Sequence, residues 1–326
     1  MSSEHTLLTN KLSGPLVWQA DDLNEQDWRY TIDAACLDEI AGLTETLKIR
    51  KGEVEDLRPD DFDLPHCRDL MTRVHDNLVS GCGFALVDRL PMDRLDKDTA
   101  KALYWLLSCM MCRPVAQKLD GTMVYDVHDT GKQALPGSGV RPDKTNIDLT
   151  FHNDNSYNDP LPDFVGLLCL KPAKSGGVSR VMSFETAHNA ILDRHPDALA
   201  RLYEPFIFDR QREHEANDAE TISAPVFEND GKLKARLGIH QMHNGYAMTG
   251  TDMDDETRRA INALEDVFSD DALQFRFTME AGQFQYVNNK VIGHSRTQFE
   301  DFDNPEDRRH LVRLWLRAKG APTYAG

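Results

Sequence analysis

Between residues 65 and 111 the apolar positions recur three and four apart. Cys67, Leu70, Met71, Val74 and Leu78 follow Pro65 at that spacing and stop at Gly81. Proline at the start and glycine at the end bracket a predicted helix. Phe84-Ala85-Leu86-Val87 reads as a short strand before the turn at Leu90-Pro91, and residues 97–111 as a second helix stopped by Pro114. From about residue 115 the period shortens to two. VYDV (124–127), NIDLTFH (146–152), DFVGLLCL (163–170) and VSRVMS (178–183) are strand-like, as are LQFRFTM (273–279), QFQYVNN (283–289) and HLVRLWLR (310–317). PVFE and KLKARL flank Asn229-Asp230-Gly231, a hairpin signal. Helical inserts interrupt the strands at about 185–203, broken by Pro196, and at about 255–268, where Ile261, Leu264, Val267 and Phe268 form a buried stripe.

Many short strands separated by turns predict a mostly β protein with helical inserts, a sandwich or barrel of the jelly-roll type. Residues 1–80 read as a helical region packed on a core of 81–326, which together make one catalytic domain. GKQALPGSGVRPDK (131–144) and EHEANDAETIS (213–223) read as covers over a site, since loops of that length in a compact domain are often lids.

Composition narrows the classes. The 326 residues carry a net charge of -17, against the clustered lysine and arginine of a nucleic-acid surface. No apolar run approaches the roughly 18 residues of a membrane helix, and MSSEHTLLTNKLSG lacks the layout of a secretory signal. Six scattered cysteines fit buried thiols in a cytoplasmic protein. The expected partner is a small-molecule substrate, with neither nucleic acid nor membrane.

The candidate chemistry sits where the run of 146–152 ends. Residues two apart on a strand share a side, so His152 and Asp154 would converge on one point, on the face of Asp148 and Thr150 and opposite Ile147, Leu149 and Phe151. They offer a cation one nitrogen and one carboxylate oxygen. The strongest third ligand is His294, behind Gly293 in NNKVIGHSRT. Two histidines and a carboxylate on one face of an octahedron leave three positions open, as in non-haem Fe(II) oxygenases. The plainer reading of His152 is a surface histidine bonded to a carboxylate. A rival metal pair is His240 and His243 in GIHQMHNGY, where no helix is evident.

In RRHLVRLWLR one strand face carries Arg309, Leu311, Arg313, Trp315 and Arg317, the other His310, Val312, Leu314 and Leu316. The second face is apolar and must be buried. Arginines beside Trp315 and Leu311 on the first call for anions, and a guanidinium grips a carboxylate at two points. Structural ion pairs with some of the 54 acidic residues would also serve.

TFHNDNSYNDPLPDFVGLLCLKPAKSGGVSRVMS, NNKVIGHSRTQFEDF and RRHLVRLWLR resemble, in order, the taurine dioxygenase and clavaminate synthase-like family of Fe(II)/2-oxoglutarate-dependent oxygenases. The resemblance spans about residues 80–318. It implies a double-stranded β-helix (jelly-roll) core flanked by helices. It also implies His152, Asp154 and His294 as iron ligands and Arg309 on the distal carboxylate of 2-oxoglutarate. Arg313 would face the substrate or support the cosubstrate, and Ser179, after a Gly-Gly turn, would be the family's hydroxyl residue. Arg308 is the alternative to Arg309, but its parity puts it on the apolar face. The implied reaction is hydroxylation, or another oxidation such as desaturation, of an unactivated carbon in a small molecule such as an amino acid or other carboxylate. O2 is consumed, succinate and CO2 are released, and ascorbate helps in vitro. Asp154 argues against halogenation, for which the family's carboxylate ligand is replaced by a small residue. The alternative is a non-oxidative cupin-type metal-binding protein, which would leave Arg309 and Arg313 without an anion. His240, His243 and Tyr246 are candidates for the opposite wall, Asn155, Ser156 and Asn158 for pocket contacts, and relatives of this family leave room for a homo-oligomer.

Overall fold

The computed structural model describes residues 6–50, 52–132 and 141–326. Its strands gather chiefly into two sheets. The larger runs Arg29–Thr31, Phe84–Asp88, Phe284–Asn288, Phe164–Lys171, His310–Leu316, and then Pro114–Val115, with Tyr125–Val127 also pairing along His310–Leu316. Arg29–Thr31 is parallel to its neighbour and the remaining pairs are antiparallel. The smaller sheet runs Phe275–Phe277, Ser179–Ser183, Ile292–Arg296, Leu149–His152, all antiparallel.

Alternation within each strand divides the core into layers. Between the sheets, Phe84, Val165, Val287 and Trp315 of the larger pack with Val181 and Ile292 of the smaller. The other face of the larger sheet, with Ala85, Tyr286, Val312, Leu314 and Leu316, is covered by the helices Ala34–Ile49, Pro65–Ser80 and Lys97–Met111. The outer side of the smaller sheet, with Phe151 and Met182, lies under Phe184–Arg194, Pro196–Leu202, Ile239–Thr249 and Asp255–Ser269. Helices hold more of the described residues than strands do, so the chain is a mixed helix–sheet protein rather than a mostly β one. Each sheet has an apolar outer face, and only helical layers of that size cover both.

Residues 133–140 of the first expected cover lie outside the described residues. In the second, Thr221–Ala224 pairs with Phe206–Asp209, so part of it is strand. No helix among the described residues is long and apolar enough to cross a membrane.

Beneath the smaller sheet His188 is fully buried, with Tyr203 Oη 3.0 Å from its Nε2. Burial pushes its pKa down from 6.5 to about 4. Between those values the unfolded chain takes up a proton that the folded one does not. Stability is therefore intact above pH 6.5 and declines as pH falls to 4, by up to about 3 kcal/mol. Urea melts of wild type and His188→Phe at pH 7 and 4.5 check this; the variant should lose less stability on acidification.

Candidate active site

His152 closes its strand, and a β-bulge precedes it. His294 pairs with His152 while Arg296 pairs with Leu149, so one strand spends an extra residue between the two pairs. The bulge shifts the parity. Leu149 joins His152 at the cavity, and Ile147 is left 48 % exposed rather than buried beside Phe151.

Asp154 lies past the strand, in a turn held by two buried amides. Asn289 Oδ1 accepts from Asp154 N at 2.8 Å, and Asn289 Nδ2 donates to the Asp154 and Pro162 carbonyls. Asn153 donates to the carbonyls of Ala235 and Asn289 and accepts from Leu237 N. This network, rather than strand parity, aims Asp154.

The three side chains meet: one ligand atom from each of His152, Asp154 and His294 lies within 4.8 Å of the others, and theirs is the candidate metal cluster among the described residues. Asp154 Oδ1 is 3.4 Å from His152 Nε2 and 3.6 Å from His294 Nε2. His152 Nδ1 is 2.9 Å from the Thr150 carbonyl, which places the ring proton there and turns Nε2 inward. Burial, with the His152 ring beside it, holds the His294 pKa below its ordinary value, favouring the neutral imidazole a metal needs. Burial alone would raise Asp154. The nearby Arg313 charge and the two facing histidines outweigh it, and the carboxylate stays well below its usual range. An anionic oxygen between two imidazole nitrogens suits a divalent cation.

Cavities flank the cluster on two sides. The inner one is lined by Ser179, Gln285, Arg296, Arg309 and Arg313. Gly176 and Gly177 carry the chain into it at φ 72° and 67°, a turn that a side chain would strain. Arg309 is 7 % exposed, and no acceptor meets its guanidinium among the described residues; it lies over the Phe299 ring at 5.0 Å. Burial pulls its pKa down to about 10, against the raising effect of Cys169 and Asp301. A buried guanidinium lining a cavity suits a carboxylate, whose charge would offset the cost of burying it. Arg308 instead is exposed and donates to the Phe302 and Asp303 carbonyls.

The outer cavity is lined by Arg141, Asn155, Ser156, Tyr157, His240 and Gln241. Arg141 donates to Tyr157 Oη at 2.7 Å and pairs with Glu213 at 3.0 Å. Arg313 borders both cavities. Its Nε donates to Gln117 at 2.7 Å, and its Nη1 lies 3.2 Å from both Asp143 and Asp154. Asn158 instead bonds Tyr324, Glu213 and Arg210.

His240 and His243 join no metal cluster among the described residues. They lie on the helix Ile239–Thr249, where the sequence shows none; both are exposed, and His240 Nε2 is 3.3 Å from Asn244. Tyr246 is buried in the layer beneath. Asn153, Asn289, Gln117 and Trp315 were not among the residues expected at the site. The only signal for Trp315 was its place on the arginine face.

A profile of the family described as "Taurine catabolism dioxygenase TauD, TfdA family" matches residues 50–315. FR-33289 synthase of Streptomyces rubellomurinus is 26 % identical over 318 residues, 96 % of this chain and 92 % of that one. L-asparagine oxygenase of Streptomyces coelicolor is 27 % identical over 197 residues, 58 % of this chain and 53 % of that one. In fold, the chain resembles asparagine oxygenase in complex with Fe(II), 2S,3S-3-hydroxyasparagine and succinate, with TM-score 0.63, 19 % identity, and 89 % and 93 % of the two chains covered. It also resembles the non-heme iron oxygenase OrfP in complex with Fe and alpha-ketoglutaric acid, with TM-score 0.64, 16 % identity, and 89 % and 94 % covered.

Proposed function

The chain belongs to the TauD/TfdA family of Fe(II)/2-oxoglutarate-dependent oxygenases, and from that premise we propose how its residues divide the work. His152, Asp154 and His294 hold the iron through Nε2, Oδ1 and Nε2. The inner cavity takes 2-oxoglutarate, with Arg309 on its distal carboxylate and Ser179 as a hydroxyl donor beside it. The observation that carries this reading is the unpartnered Arg309 guanidinium, in a cavity that also borders the three ligands. The facing sheets are the double-stranded β-helix of the family. Residues 1–80 supply packing, and 81–326 supply the machinery. A cytoplasmic setting fits the six free cysteines.

Iron and 2-oxoglutarate, when bound, supply an oxidant for an unactivated carbon, with succinate and CO2 released. The chain's own side chains do the rest. Burial of Asp154 and His294, at 4 % and 8 % exposure, keeps water from competing for the ligand atoms. The substrate enters the outer cavity, where Asn155, Ser156 and Gln241 offer hydrogen bonds. Arg313 Nη2 has no acceptor among the described residues and is placed to receive a substrate anion, while Nη1 steadies Asp154. The substrate is thus a small molecule with an anionic group, an amino acid or other carboxylate. Asparagine oxygenase, solved with a hydroxylated amino acid, is a relative in keeping with that class.

The test is succinate release from 2-oxoglutarate with Fe(II), O2 and ascorbate, across a panel of amino acids and small carboxylates. A member of the panel should raise release above the substrate-free rate and gain one oxygen or lose two hydrogens. Iron-independent release, or none with any member, would contradict the proposal.

A further inference from the structure

The two oxygens of Asp154 are used differently. Oδ1 faces the imidazoles of His152 and His294. Oδ2 accepts a 2.6 Å hydrogen bond from the indole Nε1–H of Trp315 and lies 3.2 Å from Arg313 Nη1. Trp315 follows Arg313 by two residues, so both project from the same side of the strand His310–Leu316. Its ring is 2 % exposed and stacks on Tyr324, centroids 6.3 Å apart, within the layer between the sheets. An indole packed in that way has little room to swing. Arg313 is shared among Gln117, Asp143 and Asp154, whereas the indole has a single donor, which goes to Asp154 Oδ2.

We propose that Trp315 is a positioning residue of the metal centre: its indole N–H pins Asp154 Oδ2, so that the carboxylate gives the metal Oδ1 alone. The inference rests on the reading that His152, Asp154 and His294 hold the metal. A carboxylate free to rotate could present both oxygens and take a further position on the cation. Held through one oxygen, it leaves three positions open for cosubstrate and O2. Partners that orient a metal-bound carboxylate typically change metal affinity 10- to 100-fold. A neutral donor does this without adding a second cation beside the site, where Arg313 already stands.

Trp315→Phe removes the N–H and keeps an aromatic ring in the space. Anaerobic titration with Co(II), followed by its visible absorption, should show affinity about 10- to 100-fold weaker than wild type. The Co(II) band shape should also change as the second oxygen becomes available, while far-ultraviolet dichroism stays as in wild type. Affinity within twofold of wild type with the same band shape would overturn the inference. Should the variant not fold, the wild-type chain provides a second reading. Of its four indole N–H signals in a 15N spectrum, one should shift with Zn(II), as the metal draws charge from the carboxylate it bonds, and far more strongly with Co(II). Four unmoved signals in a Co(II)-loaded protein would overturn the role of Trp315 alone. A wild-type chain that binds no Co(II) would overturn the metal reading, and this inference with it.

Discussion

His152→Ala is expected to weaken Fe(II) binding by more than about 100-fold, the upper end of what loss of a mere orienting partner costs, and to bring 2-oxoglutarate turnover to background. Two nitrogens and one oxygen are few ligands to begin with. His152 supplies one of them from a ring fixed by the Thr150 carbonyl, at the end of a strand whose bulge sets its direction. Alanine removes the ligand without disturbing the amides that hold Asp154, because Asn153 and Asn289 bond through the neighbouring backbone. The fold should therefore survive, with the near-ultraviolet spectrum kept. Metal analysis after gel filtration with one equivalent of Fe(II) checks the binding, and succinate release checks the turnover. Wild-type succinate production by this variant would be incompatible with the assignment.

Arg309→Ala is expected to raise the 2-oxoglutarate concentration for half-maximal turnover between about 30- and 4000-fold. Removing one partner from a buried, hydrogen-bonded charge pair costs about 2–5 kcal/mol. The same change should not destabilise the ligand-free protein strongly. The guanidinium is buried without an acceptor among the described residues, and its contact with Phe299 is worth only about 0.5–2 kcal/mol. That combination separates a binding arginine from a structural one, whose loss would lower the melting temperature first. Lysine at 309 should recover part of the affinity, since a point charge replaces a planar fork. Arg308→Ala should leave the requirement unchanged, because Arg308 is exposed and its partners among the described residues are the Phe302 and Asp303 carbonyls. Initial rates against 2-oxoglutarate concentration, beside thermal melts, read all of these.

The C-terminal strand was the most legible element. Its two-residue period set Val312, Leu314 and Leu316 on a face that must be buried and Arg309, Arg313 and Trp315 on the other; in the structure the first face lies under helices, and Arg309 and Arg313 line the inner cavity while Trp315 bonds Asp154. The helices Pro65–Ser80 and Lys97–Met111 were equally clear, because proline, glycine and a regular apolar stripe agree there. The gathering of His152, Asp154 and His294 followed from their spacing and resemblance, but the reason for it did not. Strand parity was the expected cause; the geometry comes from a bulge and from the side chains of Asn153 and Asn289, whose partners lie 80 or more residues away along the chain. Long-range hydrogen bonds of that kind leave no local periodicity.

The helix Ile239–Thr249 was hidden for a related reason. Gly245 lowers its intrinsic propensity, yet a Cβ there would lie 2.4 Å from the Ile207 carbonyl oxygen. Close packing demands the glycine, and burial of Met242 and Tyr246 supplies the stability that propensity withholds.

Crystals grown without oxygen, with Fe(II) and 2-oxoglutarate, test the central claim most directly. One metal ion should touch His152 Nε2, Asp154 Oδ1 and His294 Nε2, with the far carboxylate of the diacid on Arg309. A metal held elsewhere, a diacid away from Arg309, or imidazoles turned apart would contradict the account.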